Sequence, residues 1–123
     1  PALDIGQIEG AFIQGMGWLT TEELVWHPQT GLLTTHAPST YKIPVAGDVP
    51  AEFHVHLHDG ENVKPTPYRS KAVGEPPLML ALSGLFALQD AVAACGRPGQ
   101  RVQLDAPATP ERILLACERA RRG

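Results

Sequence analysis

Glu75 is the acidic side chain whose setting is best suited to chemistry, because it directly precedes two prolines and a long apolar run. Proline is favoured in the first turn of a helix, where its missing N–H group would be unpaired in any case. The segment therefore predicts a helix that begins at Glu75, where the helix dipole stabilises a negative charge. Such a carboxylate can act as a general base or can cap the helix, and the local pattern alone favours the cap.

Three histidines, His54, His56 and His58, form a second candidate site. On an extended strand their imidazoles would point to one side, and imidazole binds zinc, copper and nickel. Successive ligands would lie about 7 Å apart, however, which is wide for a single ion. We therefore expect a polar stripe that faces solvent, and we assign no metal ligand in this chain.

Other reactive side chains give weaker signals. Cys95 and Cys117 lie in alanine-rich, helix-like segments and are expected to be free, buried thiols. With two cysteines and no CxxC pair, the chain cannot by itself hold an iron–sulfur cluster or a zinc ion bound by cysteines. The adjacent Glu22 and Glu23 are expected to be solvated.

The elements that must position these residues follow from the spacing of apolar side chains. Apolar residues three and four positions apart predict a first helix over residues 5–19. Its four glycines, at positions 6, 10, 15 and 17, indicate close approach by another backbone or by a ligand. A helix from Glu75 to about residue 95 and a last helix that begins at Thr109 and Pro110 complete the helical set.

The intervening segments predict a small sheet. Residues 24–34 resemble a β-hairpin with proline and glycine at the turn, and residues 51–57 alternate between apolar and polar side chains. Residues 102–104 form a further short strand. The predicted fold class is α+β, with helices packed on a small, mainly antiparallel sheet.

Composition excludes several functions. The chain has 123 residues, a net charge of −3 and 6% aromatic residues, which argues against a nucleic-acid partner. The apolar stretch 78–95 contains polar residues and predicts a core helix rather than a membrane span. No signal peptide is visible, so we expect a cytoplasmic protein. Helices this apolar predict exposed patches and poor solubility if these residues are isolated.

Four segments, in this order and at this spacing, closely resemble the C-terminal end of the molybdenum-binding subunit of xanthine dehydrogenase, a molybdenum hydroxylase. They are DIGQIEGAFIQG at residues 4–15, PSTYKIP at 38–44, SKAVGEPP at 70–77 and LDAPATPE at 104–111. Each segment alone is a weak signal, but four in register are specific. The resemblance implies that residues 1–123 are a single C-terminal fragment of a larger domain that binds molybdopterin.

The resemblance also implies an activity and its residues. In the family, a metal-bound hydroxide attacks xanthine or hypoxanthine to give urate, and the glutamate that matches Glu75 is the general base. Gln7 and Gly74 match residues that contact the molybdenum–molybdopterin cofactor. Electrons pass through 2Fe–2S clusters and FAD, which are expected elsewhere in the complex, to NAD.

The expected partners are the remainder of the molybdenum subunit, the iron–sulfur/FAD subunit and a purine substrate, in an oligomer. The isolated fragment is expected to be inactive. Three alternatives remain open at this point: a related aldehyde or N-heterocycle hydroxylase, a non-catalytic docking or assembly segment, and a metal-binding histidine strand.

Overall fold

The computed structural model describes residues 2–123, and its architecture is helical. Four α-helices account for the regular structure: α1 (Ala2–Thr20), α2 (Glu75–Leu80), α3 (Leu82–Ala93) and α4 (Pro110–Arg122). Two short 3-10 turns, Ala46–Asp48 and Pro67–Arg69, lie in the long connection between α1 and α2. Helix α1 packs against α2 and α3, and α3 packs against α4.

The two outer helices are predicted well by local sequence. Helix α1 covers the predicted range, and α4 begins as expected with Thr109 as its N-cap and proline at its start. The Thr109 side chain accepts a hydrogen bond from the backbone N–H of Arg112, at 3.4 Å. This bond satisfies one of the four N–H groups that every helix leaves unpaired at its beginning.

The helix that begins at Glu75 is shorter than predicted. It breaks at Ala81, and the second half ends at Ala93 rather than near residue 95. At the break the N–H of Ala81 bonds to the carbonyl of Leu78, and the N–H of Gly84 bonds to that of Ala81. These bonds span three residues instead of four, so they tighten the backbone locally and separate α2 from α3.

The predicted α+β class is wrong for the described residues, since no strands pair into a sheet there. The expected hairpin is reduced to one bridge between Trp26 and Leu33. Residues 51–57 and 102–104 form no strand. The apolar face predicted for this segment is only partly realised: Phe53 packs on Phe12 of α1 with ring centroids 5.4 Å apart, whereas Leu57 is 50% exposed. A strand also needs a hydrogen-bonded neighbour, which alternation does not test.

The core is small and lies between α3, α4 and the segment before α4. Val92, Leu104, Ala108 and Ala116 form its buried centre. A hydrogen bond of 2.7 Å, from the N–H of Ala108 to the carbonyl of Leu19, ties this core to the end of α1. The motif that precedes α4 therefore links the end of α1 to this core, in addition to the packing of α1 on α2 and α3.

The outer face of α2 and α3 is not covered by residues 2–123. Met79, Leu80 and Phe86 are 58%, 64% and 59% exposed, so the expectation of exposed apolar patches is confirmed. The buried core helix predicted here is only partly realised within the chain. By length and composition alone, Glu75–Ala93 is also long and apolar enough to cross a membrane, but core helices of soluble proteins meet the same criterion.

Candidate functional site

A cleft of about 450 Å³ lies between α1 and the beginning of α2, and it contains the three residues singled out in the sequence. Gln7 comes from α1, whereas Gly74 and Glu75 come from the N-terminal end of α2, 67 or more positions along the chain. The other lining residues are mostly small: Gly6, Gly10, Ala11, Gln14 and Leu78. The fold therefore brings two distant motifs to one place.

Glu75 is the first residue of α2, as its position before two prolines predicts. Gly74 is the N-cap and offers no side chain, so the carboxylate of Glu75 is the one acidic group in the first turn. Glu75 is exposed in this chain, and no hydrogen bond or ion pair of its side chain is seen within residues 2–123. The carboxylate is thus open to a proton donor in the cleft.

The glycines of α1 fall into two groups. A Cβ atom added to Gly15 would collide with the Leu78 carbonyl oxygen and lie 2.7 Å from the Ala81 Cβ, so Gly15 is required for close packing of α1 on α2. A Cβ atom added to Gly6 or Gly10 would meet no other described residue within 4 Å. Close approach by another backbone is therefore confirmed at Gly15, whereas Gly6 and Gly10 have no packing partner among the described residues.

Gly74 is also not explained by the fold of the described residues. Its φ of −88° and ψ of −44° are helical and accessible to any L-residue. A Cβ atom at Gly74 would meet nothing within 4 Å among residues 2–123. Neither the backbone conformation nor packing against another described residue therefore requires glycine at position 74.

Gln14 also lines the cleft and lies within the first motif, although the resemblance gave it no role. It is seven positions after Gln7, and positions seven apart lie on the same helix face after two turns. Both glutamines are exposed, and no side-chain hydrogen bond of either is seen in the described part of the chain. The spacing was the signal that could have identified Gln14.

The second motif, PSTYKIP, lies outside this cleft and holds the end of α1 in place. Glu22 is only 8% exposed, so the expectation that it is solvated is wrong. The pKa of Tyr41 is raised above its ordinary value, chiefly by a hydrogen bond with the Glu22 carboxylate and further by burial and the Glu22 charge. Glu23 is not simply solvated either, since it pairs with Arg112 at 2.7 Å.

The remaining candidates lie apart from the cleft. His54, His56 and His58 are all exposed. Within residues 2–123, no group of three His, Cys, Asp or Glu side chains is arranged to hold a metal ion. Cys95 and Cys117 are free thiols, as predicted, although they are half-buried rather than fully buried.

Comparison with known proteins identifies the relatives of this chain. Residues 1–50 match a family described as the molybdopterin cofactor-binding domain. Xanthine dehydrogenase/oxidase of Felis catus is 54% identical over 124 residues, and that of Rattus norvegicus is 55% identical over 122 residues; each match covers 95% of this chain. Aldehyde oxidase 1 of Cavia porcellus is 52% identical over 122 residues, or 96% of the chain.

The chain spans about 9% of the length of each of these relatives. The matching domain includes Gln7 and the glycines of α1, and the long matches extend over nearly the whole chain, including the segment that carries Glu75. The resemblance inferred from the four motifs is confirmed: the chain is homologous to one segment of the xanthine dehydrogenase/oxidase family.

Proposed function

We propose that this chain forms part of the molybdenum cofactor pocket of a molybdenum hydroxylase and contributes Glu75 as its general base. The observation that carries the proposal is the cleft that Gln7, Gly74 and Glu75 share. Each of the three was selected from the sequence, and Gly74 and Glu75 follow Gln7 by 67 and 68 positions in the chain. The fold thus places the matched residues of both motifs around one cleft between α1 and α2.

The cleft fits such a cofactor by the space that it leaves. Gly6, Gly10 and Gly74 present backbone to the cleft where a Cβ atom would enter open space. Glycine inside a helix is less favourable than alanine by about 1 kcal/mol, so Gly6 and Gly10 are disadvantageous unless something outside these residues approaches. A bound pterin is a group of the size and shape that would use this room.

Gln7 supplies the polar contact that a pterin or phosphate edge needs. Its amide offers both a donor and an acceptor, and neither is engaged within the described residues. Gln14 offers the same groups two helical turns further along α1. These residues bind and orient the cofactor, while the remainder of a longer chain completes the pocket.

Glu75 moves the proton. When bound, the molybdenum cofactor supplies the redox chemistry of hydroxylating an electron-poor carbon. The Glu75 carboxylate is the acidic group in the first turn of α2, and it accepts a proton in the cleft, as a general base must. We assign xanthine or hypoxanthine as substrate and urate as product, with electrons passing through 2Fe–2S clusters and FAD to NAD in other parts of the enzyme.

The test uses the full-length parent enzyme with Glu75→Gln. General acid–base catalysis contributes about 10²- to 10⁴-fold, so xanthine-dependent NAD⁺ reduction should fall by a factor in that range. Molybdenum content, measured by elemental analysis on the same sample, should stay unchanged. Glu111→Gln is the matched control, since Glu111 lies in the first turn of α4 beside a proline but outside the cleft.

The outcomes separate the alternatives. Loss of turnover with molybdenum retained, and with the Glu111 variant fully active, supports Glu75 as the base. Full turnover of Glu75→Gln would refute that role and leave the residue as a helix cap in a docking or assembly segment. Loss of molybdenum together with turnover would refute a purely catalytic role.

A second candidate substrate class is favoured by one observation. The chain is nearly as similar to aldehyde oxidase 1 of Cavia porcellus as to the xanthine dehydrogenase/oxidases, so these residues do not separate the two activities. Rates with xanthine and with an aromatic aldehyde, measured on one preparation of the parent enzyme, decide between them. A higher kcat/KM for the aldehyde would replace the purine as the assigned substrate.

A further inference from the structure

The thiols of Cys95 and Cys117 lie next to each other, although 22 positions separate them in the chain. Their Sγ atoms are 3.7 Å apart. Cys95 follows the C-terminal end of α3, and Cys117 lies in the middle of α4. Neither residue takes part in the cleft between α1 and α2.

The backbones are close at the same point. A Cβ atom added to Gly96 would lie 3.0 Å from the carbonyl oxygen and 3.2 Å from the Cβ of Ala120, one turn after Cys117. Ala116 and Ala120 are buried, so α4 turns its small side chains toward the end of α3. The backbone segment that follows α3 therefore lies close to α4 at both Cys95 and Gly96.

Only a small movement of the two sulfur atoms is needed for a covalent bond to form between them. A disulfide has an S–S distance of about 2.05 Å, so the two sulfur atoms must approach by roughly 1.7 Å. Cys95 lies beyond the last residue of α3, in a turn. The turn is held by two backbone hydrogen bonds, from the N–H of Cys95 to the carbonyl of Val92 and from the N–H of Gly96 to the carbonyl of Ala93. A turn of this kind adjusts more easily than the interior of a helix.

We propose that Cys95 and Cys117 form an oxidisable dithiol site, which closes to a disulfide that links the end of α3 to α4. Both thiols are half-buried, so a small oxidant such as hydrogen peroxide reaches them. One thiol is first oxidised to a sulfenic acid with release of water. The second thiol then displaces the hydroxyl group, which leaves as a second water, and the S–S bond forms. Two electrons pass from the sulfur atoms to the peroxide.

The experiment treats the reduced, full-length parent enzyme with a small excess of hydrogen peroxide, blocks remaining thiols with N-ethylmaleimide and digests it with trypsin. Trypsin cleaves after Lys71, Arg101, Arg112 and Arg119, but not between Arg97 and Pro98. Cys95 is then in peptide 72–101 and Cys117 in peptide 113–119. The expected product is these two peptides joined, two hydrogens lighter than their sum, and separated by a reductant.

Two variants and a second reagent make the test decisive. Cys95→Ser and Cys117→Ser should each abolish the joined product, while cofactor content and turnover of the reduced enzyme stay unchanged because the pair lies outside the cleft. Phenylarsine oxide, which bridges two close thiols, should protect both cysteines from maleimide in the wild type and neither single cysteine in the variants. Recovery of both cysteines as separate maleimide adducts or sulfinic acids, with no arsenical protection, would overturn the proposal.

Discussion

Replacement of Gly10 by alanine should change helix stability and cofactor binding in opposite directions. Gly10 lies in the interior of α1, and its added Cβ atom would meet no described residue within 4 Å. Alanine in a helix interior is more favourable than glycine by about 1 kcal/mol. With no clash to offset this gain, α1 should be stabilised by roughly that amount in the cofactor-free enzyme.

The same methyl group narrows the cleft. Extra methyl groups in a well-packed site cost about 1–3 kcal/mol, so cofactor affinity should fall by about 5- to 150-fold if the cofactor approaches Gly10. Hydrogen exchange of the α1 amides measures the first effect, since 1 kcal/mol slows exchange from local opening about fivefold. Elemental analysis of molybdenum in the parent enzyme measures the second.

Gly15→Ala is the matched control on the same helix. Its Cβ atom would collide with the backbone carbonyl of Leu78, which cannot move aside as a flexible side chain could. This variant should lose molybdenum with faster exchange of α1, because the α1–α2 packing itself is damaged. Gly10→Ala with slower exchange and full molybdenum content would refute the reasoning, and so would faster exchange in Gly10→Ala.

Three further predictions concern the frame around the cleft. Thr109→Ala removes the N-cap of α4 and should destabilise that helix by about 1 kcal/mol, seen as roughly fivefold faster amide exchange in its first turn. Tyr41→Phe should lower the free energy of unfolding at pH values below about 10, the ordinary pKa of tyrosine. The difference in stability between variant and wild type should disappear as the pH rises through the higher pKa of Tyr41 in the folded enzyme, which tyrosinate absorbance reports. The pKa of Cys117 is raised, chiefly by its hydrogen bond with Cys95, so maleimide should label Cys117 slowly at pH 8 and faster in Cys95→Ala.

Helix beginnings could be predicted from the sequence because their signals are local. Thr109 with Pro110, and Glu75 with the two prolines that follow it, act through neighbouring backbone groups, and the structure has helices beginning at both places. The predicted sheet failed for the opposite reason. Alternation over residues 51–57 placed Phe53 correctly against α1 but not Leu57, which is 50% exposed. The hydrogen-bonded neighbour that a strand needs is not encoded in the strand itself.

Buried charge was misjudged for a related reason. Glu22 follows the end of α1 and resembles a solvated residue, yet the PSTYKIP loop folds over it and places Tyr41 beside its carboxylate. The spacing of about 20 residues between Glu22 and Tyr41 carries no periodic signal. Only the path of the loop brings the two together, so the interaction could be found in the structure and not in the pattern.

The glycines of α1 show how far the sequence alone could go toward the site. Four of them in one helix indicated that something must approach α1 closely, and this inference did not distinguish a neighbouring helix from a ligand. The structure shows a neighbouring helix at one of them: a Cβ atom at Gly15 would collide with the backbone of α2, whereas Gly6 and Gly10 line the cleft and have no packing partner among the described residues. A glycine that weakens its helix without a packing partner in the chain marks the surface where a partner from outside the chain is expected.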